Sequence, residues 1–217
     1  LSENIGACAR AIKNFSFNKL VVISPKPTFH NDKIIATSVG AKEIIKNCKV
    51  YESLESAIKN VDYVIATSSR FRNKNIKHIN LNELSKIDFS KKIGFLFGSE
   101  ASGLSNSEIV YANCTMQIPA NPNFKSLNLS HSVIIVAQVV SSLIKLKRSS
   151  FKKSQKVKSA SKKDIQSMIN LCISQLESKN FFKPTEKKPI MLENLRNIFY
   201  KMELSEKETR ILSSVFA

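Results

Sequence analysis

Upstream of Lys147, apolar positions come as short β-branched runs set between stretches of helical spacing. Leu20–Ser24, Tyr63–Ala66, Ile93–Phe97 and Cys114–Ile118 are runs of the length and residue type that a strand buried on both faces requires. Ile34–Cys48 and Val133–Lys147 instead repeat apolar side chains at three- and four-residue intervals, which predicts amphipathic helices. The alternation predicts an α/β domain on a mostly parallel sheet with helices on both faces.

The pattern changes after that. Lys147 to Lys163 holds 8 basic and no acidic residues, is rich in serine and poor in apolar side chains, and predicts a self-repelling extended linker. Past it, Ile165, Met168, Ile169, Cys172, Ile173 and Leu176 recur at helical spacing, as do Leu192, Leu195, Ile198, Phe199 and Met202. Ser205 with Glu208 three places on is a capping box ahead of Ile211, Leu212, Val215 and Phe216, so a third short helix is expected. The organisation read from this is a catalytic-sized unit at 1–146, a basic linker at 147–163 and a helical extension at 164–217. The extension is too small to bury a large core alone and is expected to need a partner surface to be well ordered.

A hydrophobic fraction of 42% with 24% charged residues belongs to a globular chain, not a disordered one. No apolar stretch is long enough to span a membrane and none has the form of a signal peptide, so a cytoplasmic protein is expected. Cys8, Cys48, Cys114 and Cys172 form no C-x-x-C pair and His30, His78 and His131 are equally dispersed. Reduced thiols and no metal are therefore expected. The net charge of +17 points to a polyanionic partner such as nucleic acid. Its distribution sharpens this: residues 1–146 carry +8, the 17 residues 147–163 another +8, and 164–217 only +1.

Two common nucleotide sites are excluded. Gly98-x-x-x-x-Gly103 has P-loop spacing, but Leu104-Ser105 stands where a lysine and a hydroxyl residue must reach the phosphates. No Gly-x-Gly-x-x-Gly occurs, so a dinucleotide-binding turn has nowhere to form. In a loop after a buried strand, Gly98 and Gly103 allow close backbone approach and positive φ, which suits a flat ligand held by main-chain groups.

Three segments then combine: Asn4-Ile5-Gly6-Ala7-Cys8-Ala9-Arg10, Phe97-Gly98-Ser99-Glu100-Ala101-Ser102-Gly103-Leu104, and the proline-bearing stretch from Ile118 to Ser130. In this order they resemble the three motifs of SPOUT-class RNA ribose 2′-O-methyltransferases of the TrmH-like group. The helical extension, whose end is similar to the family's in Leu204–Leu212, brings the resemblance closest to the TrmJ branch. That branch methylates cytidine or uridine at the first nucleotide of the tRNA anticodon loop, position 32. Ribosomal RNA or another tRNA position is the alternative, and a catalytically silent RNA-binding protein a lesser one.

The resemblance implies a C-terminal trefoil knot, an apolar strand ahead of the Asn4 motif, a homodimer, tRNA as partner, S-adenosylmethionine as cofactor, and neither metal nor membrane. It assigns cofactor contacts to Thr67, Ser68, Ser69, Gly98, Ile118, Ser126, Leu127 and Asn128, and catalytic roles to Asn4, Arg10, Glu100 and Asn128. Arg10 of one subunit is expected to complete the pocket of the other, and Glu100 to bond toward the Asn4 end. If Asn4 caps a helix, Arg10 lies nearly two turns along it. Arg70 and Arg72, following the Thr67–Ser69 turn, are candidate phosphate contacts.

Overall fold

The computed structural model describes residues 2–25, 29, 32–69, 76–148 and 158–217. Six strands and nine α-helices follow in chain order among them. They are α1 (Ser2–Asn14), β1 (Val21–Ile23), α2 (Asp32–Thr37), α3 (Lys42–Lys46), β2 (Lys49–Tyr51), α4 (Leu54–Ile58), β3 (Tyr63–Thr67), β4 (Lys77–Asn80) and β5 (Ile93–Leu96). Next come α5 (Asn106–Ile109), β6 (Cys114–Gln117), α6 (Leu129–Arg148), α7 (Lys162–Ser178), α8 (Lys188–Lys201) and α9 (Glu206–Phe216).

Strands β4, β6, β3 and β5 lie side by side in that order, all parallel, while β1 and β2 pair in parallel as a separate ribbon. The run Tyr63–Ala66 is buried because β3 is flanked on both edges and covered on both faces. Tyr63 and Ile65 point into a core shared with Val136 and Val140 of α6. Val64 and Ala66 point the other way, into a core with Ile58 of α4 and Ile109 of α5. Helix α6 presents Val133, Val136, Ala137 and Val140 inward, the spacing its sequence announces.

Three expectations need correction. Ile34–Cys48 is two helices, because Gly40 takes φ 75° and reverses the chain between α2 and α3. Asn4 does not cap α1, which begins at Ser2. Strands β2 and β4 were not anticipated; each is short and carries exposed lysines, so the apolar pattern is too weak to mark them.

Gly6 fixes how α1 meets α2. A Cβ there would lie 2.1 Å from Thr37 Oγ1 and 2.5 Å from the Ile34 carbonyl oxygen, so only glycine lets the helices touch.

The basic stretch is also shorter as a spacer than its composition suggests. Helix α6 continues to Arg148, and α7 begins at Lys162 behind the capping pair Ser161 and Asp164. Residues 149–157, including Lys152, Lys153 and Lys156, lie outside the described residues, as do Arg70 and Arg72. Lys158–Lys163 is packed. Ala160 N–H donates to the Leu204 carbonyl, and the Lys162 and Lys163 amides donate to the carbonyls of Val61 and Lys59, each at 2.9 Å. Helices α7, α8 and α9 follow and pack together, with the Ser205–Glu208 capping box in place. Its core of Ile165, Met168, Ile169, Phe199 and Tyr200 reaches Tyr111 of the first unit, whose ring lies 5.5 Å from that of Tyr200.

Candidate active site

A cavity opens at the carboxyl ends of β3, β5 and β6, the edge of a parallel sheet where ligands usually bind. Three connections build it: the turn after β3, the glycine loop after β5, and the segment from β6 to α6. Thr67, Ser68, Ser69, Gly98, Ile118, Ser126 and Leu127 all line it. Seven positions scattered over sixty residues of sequence thus share one wall. The turn after β3 is held by Thr67 Oγ1 donating to the Leu96 carbonyl at 3.0 Å and by Ser68 N–H donating to the Met116 carbonyl at 3.0 Å.

The glycine loop closes on itself through Gly103 N–H donating to the Ser99 carbonyl at 2.8 Å. Its two glycines have different duties. Gly103 takes φ 68°, the left-handed conformation that a side chain resists. Gly98 does not need positive φ; a Cβ on it would meet the backbone, at 2.2 Å from the Gly103 carbonyl carbon and 2.3 Å from Leu104 N. The missing side chain at Gly98 thus lets the two ends of the loop close against each other, backbone to backbone.

At one side of the cavity a polar chain links all three motifs. Asn128 Nδ2 donates to Asn4 Oδ1 at 3.2 Å, and Asn4 Nδ2 donates to Glu100 Oε1 at 2.6 Å. Asn4 is buried, so its amide must be satisfied on both atoms, and these two partners do so. Asn128 also caps α6, accepting from Ser130 N–H at 2.9 Å and from the Ser130 hydroxyl at 2.8 Å. Partial burial pushes the Glu100 carboxyl up, but hydrogen bonds, that of Asn4 among them, outweigh it and leave the group below its ordinary range. Glu100 is therefore a carboxylate at neutral pH. Cys8, on the buried face of α1, is pushed up to about 12 by burial and by Glu100, so it is a thiol and not a nucleophile.

Arg10 stands apart. It is exposed and lies about 120° around α1 from Asn4, as six residues at about 100° each require. It does not line the cavity of its own chain. Sequence reasoning passed over Lys125 and Ser132, which do line it. Their positions beside Ser126 and one turn into α6 were the only clues.

Among the described residues no cluster of histidine, cysteine, aspartate or glutamate could hold a metal ion, and no helix is long and apolar enough to cross a membrane.

A sequence profile of the SpoU rRNA Methylase family matches residues 2–138, which include all three motifs. The chain is similar to the tRNA (cytidine-2′-O-)-methyltransferase TrmJ of Methanocaldococcus jannaschii, 30% identical over 99% of this chain and 94% of that protein. It is 36% identical to an uncharacterized tRNA/rRNA methyltransferase of Haemophilus influenzae, over 63% of this chain and only 56% of the other. Among solved structures, that of TrmJ from Z. mobilis ZM4 superposes with a TM-score of 0.87 at 26% identity, covering 100% of this chain and 93% of that one. The relationship extends through the helical extension as well as the sheet. With two motifs lining one cavity, the first hydrogen-bonded to both, and a profile that spans all three, the chain belongs to the SpoU rRNA methylase family.

Proposed function

We propose that this protein transfers a methyl group from S-adenosylmethionine to the ribose 2′-oxygen of a cytidine or uridine in tRNA, at the first nucleotide of the anticodon loop, and that it works as a homodimer. The observation that carries the reading is the shared cavity: seven of the eight residues assigned to the cofactor line it, and the eighth, Asn128, stands outside the lining in a hydrogen-bonded series with Asn4 and Glu100. The archaeal relative, matched nearly end to end, is a tRNA (cytidine-2′-O-)-methyltransferase, which supports the choice of tRNA.

The residues fit such a cofactor. The Gly98–Gly103 loop brings main-chain groups to the cavity, Ile118 and Leu127 give apolar walls, and the hydroxyls of Thr67, Ser68 and Ser126 give polar contacts. When bound, the cofactor supplies a methyl group already activated by its sulfonium centre. The chain has then to align the 2′-oxygen for in-line attack and accept one proton from the hydroxyl as the carbon–oxygen bond forms. Asn4, itself bonded to Asn128, donates to the Glu100 carboxylate at the edge of the cavity, a charge complementary to a cationic cofactor.

Arg10, turned away from its own cavity, is placed by this reading in the site of the second subunit, where it positions the hydroxyl and a neighbouring phosphate or takes the proton. A guanidinium is a poor base unless something removes its own proton, so positioning is the less demanding role. The experiment is to map ribose methylation in tRNA from cells with and without the protein. Loss of a 2′-O-methyl group at the first anticodon-loop nucleotide is expected; an unchanged map would overturn the reading. Arg10→Ala should abolish turnover and leave S-adenosylmethionine affinity within a few-fold. Heterodimers of Arg10→Ala with Asn128→Ala subunits should recover part of the activity, and verified heterodimers without any would refute sharing of sites.

A further inference from the structure

We propose that Phe124 and Lys125 form a nucleotide grip at the mouth of the cavity: the base of the nucleotide to be methylated stacks on the Phe124 ring, and a flanking phosphate pairs with Lys125. The inference rests on the RNA methyltransferase reading above and names the residues that seat its substrate.

Phe124 is 74% exposed, the most exposed of the large apolar side chains among the described residues. A lone exposed apolar residue ordinarily needs no explanation, but this one is held in place. Its N–H donates to the Asn121 carbonyl at 2.9 Å, closing a turn with Pro122 at the second position, and Asn123 N–H donates to Asn121 Oδ1 at 2.9 Å. Proline and an asparagine side chain thus fix the turn that offers the ring to solvent. A phenyl ring left in water forgoes the gain of burial, so a rigid turn that presents one suits a partner that covers it.

The next residue supplies the second half. Lys125 lines the cavity, where Glu100 is the other charged side chain, and among the described residues Lys125 makes no ion pair. Ser126 and Leu127 follow it down the wall. The chain therefore descends from an exposed aromatic ring, through a free cation, to the cofactor-assigned residues in four consecutive positions. An unstacked base with its ribose and phosphate has the same sequence of parts: a flat π-face outside, an anion at the rim, and the reacting hydroxyl over the pocket. Aromatic stacking with a neighbouring cation is how proteins commonly hold single-stranded nucleotides, and a loop nucleotide is one.

The test uses the full chain with tRNA transcripts and S-adenosylmethionine. Phe124→Ala should lower kcat/KM for tRNA at least tenfold while cofactor affinity by calorimetry stays within twofold, which also reports that the pocket is folded. Phe124→Tyr should restore most of the loss and Phe124→Leu should not, because leucine keeps the apolar bulk and lacks a π-face. Lys125→Gln should flatten the slope of log tRNA affinity against log salt by about 0.7–0.9, the signature of a single phosphate contact. An unchanged kcat/KM in Phe124→Ala, or a fully active Phe124→Leu, overturns the grip. So does a shift from dimer to monomer in Phe124→Ala, since the ring would then be a contact between copies. A wild-type chain that binds cofactor and methylates no tRNA overturns the underlying reading and the grip together, and that outcome is seen before any substitution is made.

Discussion

The ammonium of Lys162, on the first turn of the helical extension, donates to the side-chain oxygen of Asn113 at 2.6 Å in a site where Lys162 is 1% exposed. The same oxygen accepts the N–H of Val64 on the central strand at 2.9 Å, and the Asn113 amide nitrogen donates to the Tyr200 carbonyl. One asparagine thus ties the sheet to two helices of the extension. The Tyr200 ring lies beneath the ammonium, 4.6 Å from ring centre to nitrogen.

Stability should rise with pH from about 7 to 9 and fall beyond. Burial brings Lys162 from 10.5 down to about 7, although Glu203, Cys114 and Asp62 favour its charge and Lys91 opposes it. Above pH 7 the unfolded chain therefore holds a proton there that the folded chain lacks, and stability climbs by up to ~1.4 kcal/mol per pH unit. Burial works the other way on thiols, pushing Cys8 up to about 12 and Cys48 and Cys114 up to about 11 from 9.0. Above pH 9 the unfolded chain loses those protons first, and three thiols outweigh one amine. Urea unfolding across this range checks it; Lys162→Met should lack the rise, and an identical rise in both proteins would contradict the assignment.

Removing the acceptor should hurt more than removing the lysine. Asn113→Leu strands the Lys162 ammonium, the Val64 N–H and the Tyr200 carbonyl, a loss of ~3 kcal/mol or more. Lys162→Met exchanges a buried amine for an apolar chain of similar length and should cost under ~1.5 kcal/mol. Equal losses in the two unfolding curves would show that the asparagine is not the hub.

Gly98→Ala is expected to be enough to abolish cofactor binding, and Gly98→Val more so. The new Cβ meets fixed backbone at Gly103 and Leu104, so the loop itself must move. Calorimetry showing unaltered S-adenosylmethionine affinity in either variant would place the cofactor elsewhere.

Asn128 has two separable duties. Asn128→Ser keeps an acceptor for the first turn of α6 and loses the bond to Asn4; Asn128→Ala loses both. Alanine should therefore be less stable than serine by ~1 kcal/mol, while both lose most methyl transfer. Serine with wild-type turnover would separate the polar chain from catalysis.

Much of the sheet was legible because its inner strands are buried: Tyr63–Ala66 is apolar throughout, and Cys114–Gln117 sets Cys114 and Met116 between a buried Thr115 and a half-buried Gln117. The edge strand β4, with Lys77 and Asn80 exposed, carried no such mark. The positions along the cavity wall were named only through resemblance, while the glycine spacing alone suggested close backbone approach and positive φ, of which Gly98 shows the first and Gly103 the second. Lys162 was misread for a physical reason: a lysine in a run of lysines and serines reads as solvated, and nothing local reveals that Asn113 waits for it 49 residues away.

The stitching of Lys162 and Lys163 amides to the carbonyls of Val61 and Lys59 has a consequence for how the molecule comes apart. The first turn of α7 has its free N–H groups satisfied by the connection that leads into β3, so neither partner can unravel without exposing polar backbone of the other. Melting should then be a single transition reported alike by probes in the sheet and in the helices, and a fragment cut in the basic stretch should be less soluble and less cooperative than the whole.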